Sequence, residues 1–196
     1  MSVALVDSGG ANIGSVRYAL RRLGVEATLT RDPATIRRAD RVILPGVGAA
    51  APAMALLRET GLVDVLRGLT QPVLGVCLGM QLLCAHSEEG EVDCLGLIDA
   101  PVQRIRHGDG VRVPHMGWNE VKACVEHPLC ARDAHDGWAY FVHSFAVPRC
   151  AATLATCEYG TTFSAAIGQG NFMGVQYHPE RSAALGMAVL GNFVAT

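Results

Sequence analysis

One of the seven cysteines lies in a setting that suits a nucleophile, in the stretch 74-LGVCLGMQLL-83. Cys77 follows an apolar, strand-like run, precedes a helical pattern, and has a glycine two residues away on each side. A sharp strand-to-helix turn of this kind lifts the central side chain above a sheet, and it requires small neighbours. A thiol at the start of a helix is also more readily ionised, because the helix dipole favours the thiolate. Taken alone, the pattern fits a nucleophile and a small buried cysteine about equally well.

A cysteine nucleophile needs a base that takes and returns its proton, and usually a third group that orients the base. Among the histidines, His178 is distinguished by the apolar run before it, 173-MGVQY-177, and by the turn that it begins, 178-HPE-180. A strand would deliver His178 to the same edge of the sheet as Cys77. Glu180 is near enough in sequence to fix the tautomer of the imidazole. His-Pro-Glu alone is more typical of a surface turn, but together with Cys77 it predicts a catalytic triad.

The elements that must position these groups alternate between strand-like and helix-like patterns. The first half of the chain predicts strands at 2–7, 25–30, 41–46 and 72–76, and helices at 13–23, from Asp32-Pro33 onward, and at 49–58, 62–69 and 78–86. The second half predicts short β-like pieces at 102–106, 111–113, 119–125, 138–142, 151–157, 162–167 and 171–176, and a last helix over 181–195. Alternating strands and helices favour a parallel sheet covered on both faces. We therefore expect one α/β domain over residues 1–196, with three layers, a mostly parallel central sheet flanked by helices, and a smaller antiparallel β portion.

The composition excludes several classes of function. The 196 residues are 50% hydrophobic and 17% charged, which allows a sizeable core, and the formal net charge of −2 comes without a basic run. Binding to nucleic acid or to an anionic membrane is therefore not expected. The longest apolar run, about 73–85, is interrupted and too short to span a bilayer. With no leader pattern at its start, the sequence predicts a cytoplasmic protein.

The other cysteines and the first glycine-rich turn predict no cofactor and no metal. The cysteines form no CxxC pair, so neither a disulfide framework nor a zinc site is expected, and most of them should be small buried hydrophobic residues. The turn 8-SGGAN-12 follows the first strand but lacks the GxGxxG spacing of dinucleotide-binding proteins. The second strand also lacks a convincing acidic partner for a ribose.

Taken together, these motifs resemble the class I, triad-type glutamine amidotransferases, over a match that runs from Asp7 to the C-terminal helix. The motifs that carry the resemblance are 44-LPGVG-48, 74-LGVCLGMQLL-83, 143-HSF-145 and 174-GVQYHPERS-182. Four segments look like the glutaminase subunits of imidazole glycerol phosphate synthases: 7-DSGGANIGSV-16, 45-PGVGAA-50, 114-PHMGWN-119 and 178-HPERS-182. The resemblance implies a flavodoxin-like fold and hydrolysis of glutamine by Cys77, His178 and Glu180. Three residues depart from the family pattern: Ser8, Ala50 and Phe145.

The same resemblance implies roles for residues around the cysteine. The expected donors to an oxyanion are backbone N–H groups of Leu78 and of the strand that contains Gly46, Val47 and Gly48. A peptide of that strand would have to reorient first, so the isolated chain should be nearly inactive. The implied glutamine-binding positions are Gln81, His143, Ser144 and Phe145.

The resemblance also implies a partner, because free ammonia would be wasted in water. In this family the partner is a (β/α)8-barrel cyclase subunit that receives the ammonia for histidine biosynthesis, so a heterodimer is expected. The positions that match partner-facing ones are Asn12, Tyr140 and Arg181, and the segment 114–119 is a further docking edge. Two alternatives stay open. The chain could serve a different amidotransferase or a peptidase-like enzyme with the same turn, or it could be a non-catalytic regulatory subunit with this fold.

Overall fold

The computed structural model describes residues 1–9, 13–106, 108 and 110–196. Its strands are β1 (Val3–Val6), β2 (Ala27–Thr30), β3 (Arg41–Gly46), β4 (Val73–Cys77), β5 (Cys84–Ser87), β6 (Val92–Asp93), β7 (Ile98–Arg104), β8 (His115–Ala123), β9 (Asp136–His143), β10 (Phe145–Ala146), β11 (Thr153–Tyr159), β12 (Thr161–Gln169) and β13 (Phe172–Val175). Its helices are α1 (Ile13–Arg22), α2 (Pro33–Arg38), α3 (Ala50–Glu59), α4 (Leu62–Arg67), α5 (Leu78–Leu83) and α6 (Ala183–Ala195). Short 3-10 turns occupy Pro128–Cys130, Arg132–Ala134 and Pro179–Arg181. Within the described residues, no helix has both the length and the apolar character needed to cross a membrane.

A nine-stranded mixed sheet forms the centre of the structure, in the order β2, β1, β3, β4, β13, β12, β11, β8, β9. The first five of these strands pair in parallel, and the last four continue the sheet antiparallel. The register sets Gly46, the last residue of β3, opposite Cys77, the last residue of β4. A second sheet contains β10, β7, β5 and β6. Cys77 therefore emerges at the carboxyl edge of the parallel strands, where sites in such sheets are usually found.

Two hydrophobic cores hold the large sheet between two layers of helices. The side chains of β1 show the division, because Val3 and Leu5 belong to one core and Ala4 and Val6 to the other. Successive side chains of a strand point to opposite faces, so each face needs its own cover. Helices α1 and α6 pack in the first core, and α2, α3, α4 and α5 pack in the second. Burial on both faces explains why the parallel strands are continuous apolar runs.

The predicted three-layer α/β architecture is confirmed. In the first half of the chain, most elements lie within a few residues of their predicted positions. Helix α2 begins at Pro33 as predicted, and the Asp32 carboxylate caps it by accepting from the backbone N–H groups of Ala34 and Thr35. The antiparallel portion is more extensive than predicted, because four of its strands extend the parallel sheet.

The helix predicted over 78–86 is wrong in its last three residues. Helix α5 ends at Leu83, and the chain continues directly into β5. The backbone carbonyls of residues 82–84 accept hydrogen bonds from backbone N–H groups of residues 95–97. This pairing with a later part of the chain replaces the hydrogen bonds that would have continued the helix.

Predictions for the second half of the chain are less accurate. The strand predicted at 111–113 does not form, and Val111 makes only an isolated bridge with Gly108. Strand β8 begins at His115, before the predicted piece at 119–125. The two-residue strands β6 and β10 are too short to give a pattern of their own.

Close contact between α5 and β3 makes Gly79 a sensitive position. A Cβ atom added there would collide with the backbone carbonyl of Leu44, and a backbone atom cannot move aside without displacing its strand. We expect Gly79→Ala to lower the free energy of unfolding by about 3 kcal/mol, measured by urea denaturation.

Gly191→Ala is the matched control. Gly191 lies inside α6, and the nearest atom to an added Cβ is a side-chain carbon of Leu23 at 3.9 Å. Alanine is favoured over glycine inside a helix by about 1 kcal/mol, so this variant should be at least as stable as the parent chain. A Gly79→Ala protein as stable as the parent would contradict the packing of α5 against β3.

Candidate active site

Cys77 occupies a strained turn between β4 and α5. Its backbone angles are φ 53° and ψ −111°, which residues other than glycine rarely adopt. Its Sγ atom lies 3.9 Å from the carbonyl oxygen of Val142 in β9. Strain of this kind persists only where the surrounding structure holds it. The sharp strand-to-helix turn predicted at Cys77 is therefore present in the backbone.

The turn requires small residues because α5 folds back directly onto β4. A Cβ atom added at Gly75 would lie 2.6 Å from the carbonyl oxygen of Gly79 and 2.6 Å from the backbone nitrogen of Met80. Real Cβ atoms do not approach other atoms so closely. The two glycines that flank Cys77 in sequence thus allow the helix to start immediately after the cysteine.

His178 and Glu180 meet Cys77 at the same edge of the sheet. His178 follows β13, and Glu180 lies in the 3-10 turn Pro179–Arg181. The Nδ1 atom of His178 is 3.0 Å from Oε1 of Glu180, and the His178 side chain also hydrogen-bonds Cys77. The Glu180 side chain is fully buried, and 8% of the His178 side chain is exposed. The three residues of the predicted triad therefore form one hydrogen-bonded series.

The backbone of His178 is fixed by two neighbours. Its N–H group donates to the carbonyl oxygen of Tyr140 at 3.0 Å, and its carbonyl oxygen accepts from the Ser182 hydroxyl at 2.7 Å. The same hydroxyl accepts from the backbone N–H of Tyr140 at 2.9 Å. The edge strand β9 thus holds the histidine turn against the sheet.

The electrostatics of this series favour a charged imidazole. Burial by itself would lower the pKa of His178, but hydrogen bonds with Cys77 and Glu180 outweigh the burial and raise the pKa to about 10. His178 therefore carries a proton at neutral pH when Cys77 is a thiolate. Elsewhere, burial raises the pKa of four other thiols, those of Cys84, Cys94, Cys130 and Cys157.

A chain of two buried glutamine amides starts at the sulfur. The Nε2 atom of Gln176 is 3.8 Å from Sγ of Cys77, a suitable distance for donation to sulfur, and its Oε1 atom is 2.9 Å from Nε2 of Gln81. The Nε2 atom of Gln81 also donates to the carbonyl oxygen of Phe145 at 2.9 Å. Gln81, a predicted glutamine-binding residue, is therefore connected to the predicted nucleophile through Gln176.

Two neutral histidines support the same carbonyl group of Phe145. The Nδ1 atom of His143 lies 2.8 Å from this carbonyl oxygen, and Nε2 of His143 lies 3.0 Å from Nδ1 of His115. Burial lowers the pKa of His143 to about 3 and that of His115 to about 4. Because a carbonyl oxygen only accepts, His143 carries its proton on Nδ1, and His115 donates to its Nε2. The His143 side chain thus holds the backbone in place.

A cavity of about 160 Å³ opens beside Cys77. It is lined by His178, by Leu78 and by all four predicted glutamine-binding residues: Gln81, His143, Ser144 and Phe145. Of the predicted oxyanion strand, Val47 and Gly48 line the cavity, whereas Gly46 is buried at the end of β3 and lies outside the lining. The predicted substrate and oxyanion groups thus converge on one site, with Gly46 behind it.

The segment of residues 46–49 is held at both ends by side chains from elsewhere. The Ser8 hydroxyl donates to the carbonyl oxygen of Pro45 at 2.6 Å. The backbone N–H of Ala50, the first residue of α3, donates to Oε2 of Glu89 at 2.9 Å. Burial raises the pKa of Glu89, and the same side chain lines the cavity. This carboxylate therefore contacts both the cavity and the helix that follows the segment.

The residues expected at a partner surface lie near the cavity, as far as they are described. The guanidinium carbon of Arg181 lies 4.6 Å from the ring centroid of Tyr140, in a cation–π contact next to the histidine turn. Asn12 lies outside the described residues. In β8, Trp118 is 51% exposed and Met116 is 62% exposed. Trp118 is paired with Tyr140 across β8 and β9.

Sequence patterns do not single out Gln176 or Glu89. Gln176 is a polar residue at the end of an apolar run. A polar residue in an apolar helix is the signal that singled out Gln81, and the same reasoning could have found Gln176. Glu89 gives no such signal. The helix predicted through residue 86 makes it look like an ordinary polar loop residue, and only the folded chain brings it to the cavity.

Comparisons with known proteins place this chain in one family. The family model described as glutamine amidotransferase class-I matches residues 4–196. A protein of Xanthomonas euvesicatoria pv. vesicatoria (strain 85-10), named imidazole glycerol phosphate synthase subunit HisH, is 54% identical over 192 residues, which cover 98% of this chain and 96% of that protein. A protein of the same name from Xylella fastidiosa (strain Temecula1 / ATCC 700964) is 53% identical with the same coverage.

A solved structure gives the same fold. The crystal structure of a glutamine amidotransferase from Thermotoga maritima matches with a TM-score of 0.70, over 99% of this chain and 96% of that chain. The sequence identity is 17%. At this identity the match establishes the α/β fold alone.

Proposed function

This chain belongs to the class I glutamine amidotransferase family, and on that premise we propose that it is the glutaminase subunit of an imidazole glycerol phosphate synthase. The observation that carries the proposal is the buried series of Cys77, His178 and Glu180 at the edge of the cavity that the predicted glutamine-binding residues line. A non-catalytic subunit would have no need of a charged imidazole beside a thiol. The proposal takes residues 1–196 as one amidotransferase domain.

In the first half of the reaction, Cys77 takes the glutamyl group from glutamine. The Cys77 thiolate forms a bond to the side-chain amide carbon, and the amide oxygen becomes an oxyanion. The His178 imidazolium donates its proton to the amide nitrogen, the C–N bond breaks, and ammonia leaves. A γ-glutamyl thioester remains on Cys77, next to a neutral His178 that is oriented by Glu180.

In the second half, water releases glutamate. Neutral His178 takes a proton from water, and the resulting hydroxide adds to the thioester carbonyl carbon. The tetrahedral intermediate collapses, the C–S bond breaks, and the ion pair between the Cys77 thiolate and the His178 imidazolium is restored. Glu180 accepts from Nδ1 of His178 throughout, which leaves Nε2 for the side of the sulfur.

Both oxyanions need backbone donors in the cavity. Leu78 provides one N–H group at the start of α5, directly after the nucleophile. The second donor is assigned to the segment of residues 46–49, after one of its peptides has turned toward the cavity. Gly48 has a φ of 95°, which a glycine adopts readily. The isolated chain is therefore expected to have low activity until a partner stabilises the turned peptide.

The cavity offers groups for each end of glutamine. Glu89 is the acidic side chain in the described lining, and we assign the α-ammonium group of glutamine to it. Gln81 donates both of its amide hydrogens, to Phe145 and Gln176, so its own carbonyl oxygen stays available as an acceptor. The backbone of residues 143–145 completes the binding site, as the resemblance implies.

The ammonia requires a coupled acceptor, because in water it would be protonated and lost. The proposed partner is the (β/α)8-barrel cyclase subunit, in a heterodimer that serves histidine biosynthesis in the cytoplasm. The proposed docking surface contains the Arg181–Tyr140 contact and the exposed side chains of Trp118 and Met116. A role for Asn12 in docking is proposed from the sequence resemblance alone. Support for this surface comes from large apolar side chains that are exposed beside the cavity.

Glutamate release tests the proposal, measured for the chain alone and then in the presence of both the cyclase subunit and the nucleotide substrate of the cyclase. We expect slow turnover alone and an increase of at least roughly a hundredfold in the complex, because one lost oxyanion donor costs about a factor of 10² to 10³. Cys77→Ala should abolish glutamine hydrolysis while ammonium salts still support cyclisation by the partner.

Three results would contradict the proposal. High glutaminase activity of the isolated chain would remove the need for a partner. Absence of activity in the complex would favour the regulatory alternative. Glutamine hydrolysis by the Cys77→Ala protein would exclude Cys77 as the nucleophile.

Glu89→Gln tests the assignment of the α-ammonium group. The glutamine side chain still offers an oxygen to the N–H of Ala50, but it has no charge for the ammonium. Because hydrogen bonds to charged groups contribute about 1.5–3 kcal/mol, the KM for glutamine should rise about tenfold or more, with a smaller change in kcat. Glu91→Gln is the control, since its side chain is 79% exposed and outside the cavity lining. Equal KM values for the two variants would refute the assignment.

A further inference from the structure

Gln176 is a buried polar residue to which the mechanism above gives no task. It has 0% exposure, and it lies between the end of β13 and His178. Its backbone N–H donates to the carbonyl oxygen of Ala165 at 2.9 Å, so its place beside β12 is fixed. Strand β13 is the parallel neighbour of β4, and the side chain of Gln176 therefore reaches the residue that ends β4, Cys77.

The direction of each hydrogen bond around Gln176 follows from a single carbonyl group. The backbone oxygen of Phe145 can only accept, so the atom of Gln81 that lies 2.9 Å from it is the amide nitrogen. That same nitrogen lies 2.9 Å from the Gln176 side chain, which must therefore present its oxygen there. The NH2 group of Gln176 is then the end that faces Sγ of Cys77, at 3.8 Å.

We propose that Gln176 is a positioning residue that donates an N–H to the Cys77 thiolate and connects the nucleophile to Gln81. The proposal deepens the proposed function, and it rests on that function only for the identity of the substrate. With His178 as one donor and Gln176 as another, the sulfur is held by two separate groups. Gln81 lines the cavity. A movement of its side chain when glutamine binds is therefore passed to the sulfur through the hydrogen bonds Gln81–Gln176 and Gln176–Cys77.

Two physical reasons favour an amide in this place. A thiolate in a buried site loses the hydrogen bonds of water and needs donors from the protein in their stead. An amide N–H does not titrate, so it keeps donating whether His178 is charged or has given its proton away. The amide also adds no charge, and it therefore supports the ion pair without competing with His178 for the sulfur.

The test is the alkylation of Cys77 by iodoacetamide as a function of pH, followed by peptide mass spectrometry that separates Cys77 from the six other cysteines. The free chain is used, and no glutaminase activity is needed. Gln176→Met keeps the length of the side chain and removes its donor. We expect the midpoint of the pH profile to rise by about one unit relative to the parent chain, the effect of one hydrogen bond.

Asn171→Leu is the matched control, because it removes a hydrogen-bonded amide next to the opposite end of β13. The Asn171 side chain donates to the carbonyl oxygens of Leu69 and Gln71. This variant should melt at a lower temperature and keep the parent midpoint for Cys77. A shift of the same size in the control would mean that general loosening of the fold around β13 causes the effect, and it would overturn the proposal.

Gln176→Glu is the second variant, in case the methionine protein does not fold. One oxygen of its carboxyl group can still accept from Gln81. The other oxygen replaces the NH2 group that faces the sulfur, so an ionisable acceptor stands where the donor was. The midpoint should again rise, and the kcat for glutamine in the complex should fall about tenfold or more. An unchanged midpoint in the variant that folds would overturn the proposal, even if the complex hydrolyses glutamine. If the parent chain has no glutaminase activity in the complex, a raised midpoint in the variant supports Gln176 and rejects only the proposed function.

Discussion

The backbone of Cys77 is the constraint on which the rest of the site depends. A positive φ at a residue other than glycine costs about 1–3 kcal/mol, and it persists only where packing enforces it. Here α5 packs so closely on β3 and β4 that glycine is needed two residues before and two residues after the cysteine. Once the sulfur is lifted to the edge of the sheet, the neighbouring strand β13 delivers both Gln176 and His178 to it. The positions of the proposed nucleophile, its proposed base and its proposed amide donor thus follow from one turn and one strand pairing.

A related constraint acts on the segment of residues 46–49. Ser8 holds the carbonyl before this segment and Glu89 holds the N–H after it, so a peptide in between can turn while both ends stay in place. Glu89 also lines the cavity, and a ligand that engages its carboxylate therefore acts on the group that caps α3. Under the proposed function, substrate binding and the proposed oxyanion segment share the side chain of Glu89. Ser8 departs from the pattern that the resemblance implies, and the structure shows what its hydroxyl does, because it donates to the carbonyl oxygen of Pro45 in β3.

The parts of this site that local spacing determines could be predicted from the sequence. Cys77 and His178 each follow a buried strand, so a parallel sheet must bring them to one edge, and Glu180 follows two residues later. The parts that depend on distant contacts could not be predicted. The end of α5 is set by backbone groups of residues 95–97, and the orientation of Gln176 is set by Gln81, 95 residues away. The extent of the antiparallel portion could not be predicted for the same reason. The pairing of its four strands with the sheet leaves little trace in the local periodicity of the sequence.

The protonation state of His178 shows whether Cys77 and His178 form a buried ion pair, on which the proposed chemistry depends. An NMR titration of the His178 imidazole in the chain alone, assigned with the His178→Asn variant, measures it without substrate or partner. Because the pKa of His178 is raised to about 10, the ring should stay charged from neutral pH upward and lose its proton as the pH rises through about 10. In Cys77→Ala, one of the two hydrogen bonds that oppose burial is gone, so the midpoint should fall. A midpoint at or below the ordinary value of 6.5 in the parent chain, unchanged in Cys77→Ala, would contradict the ion pair.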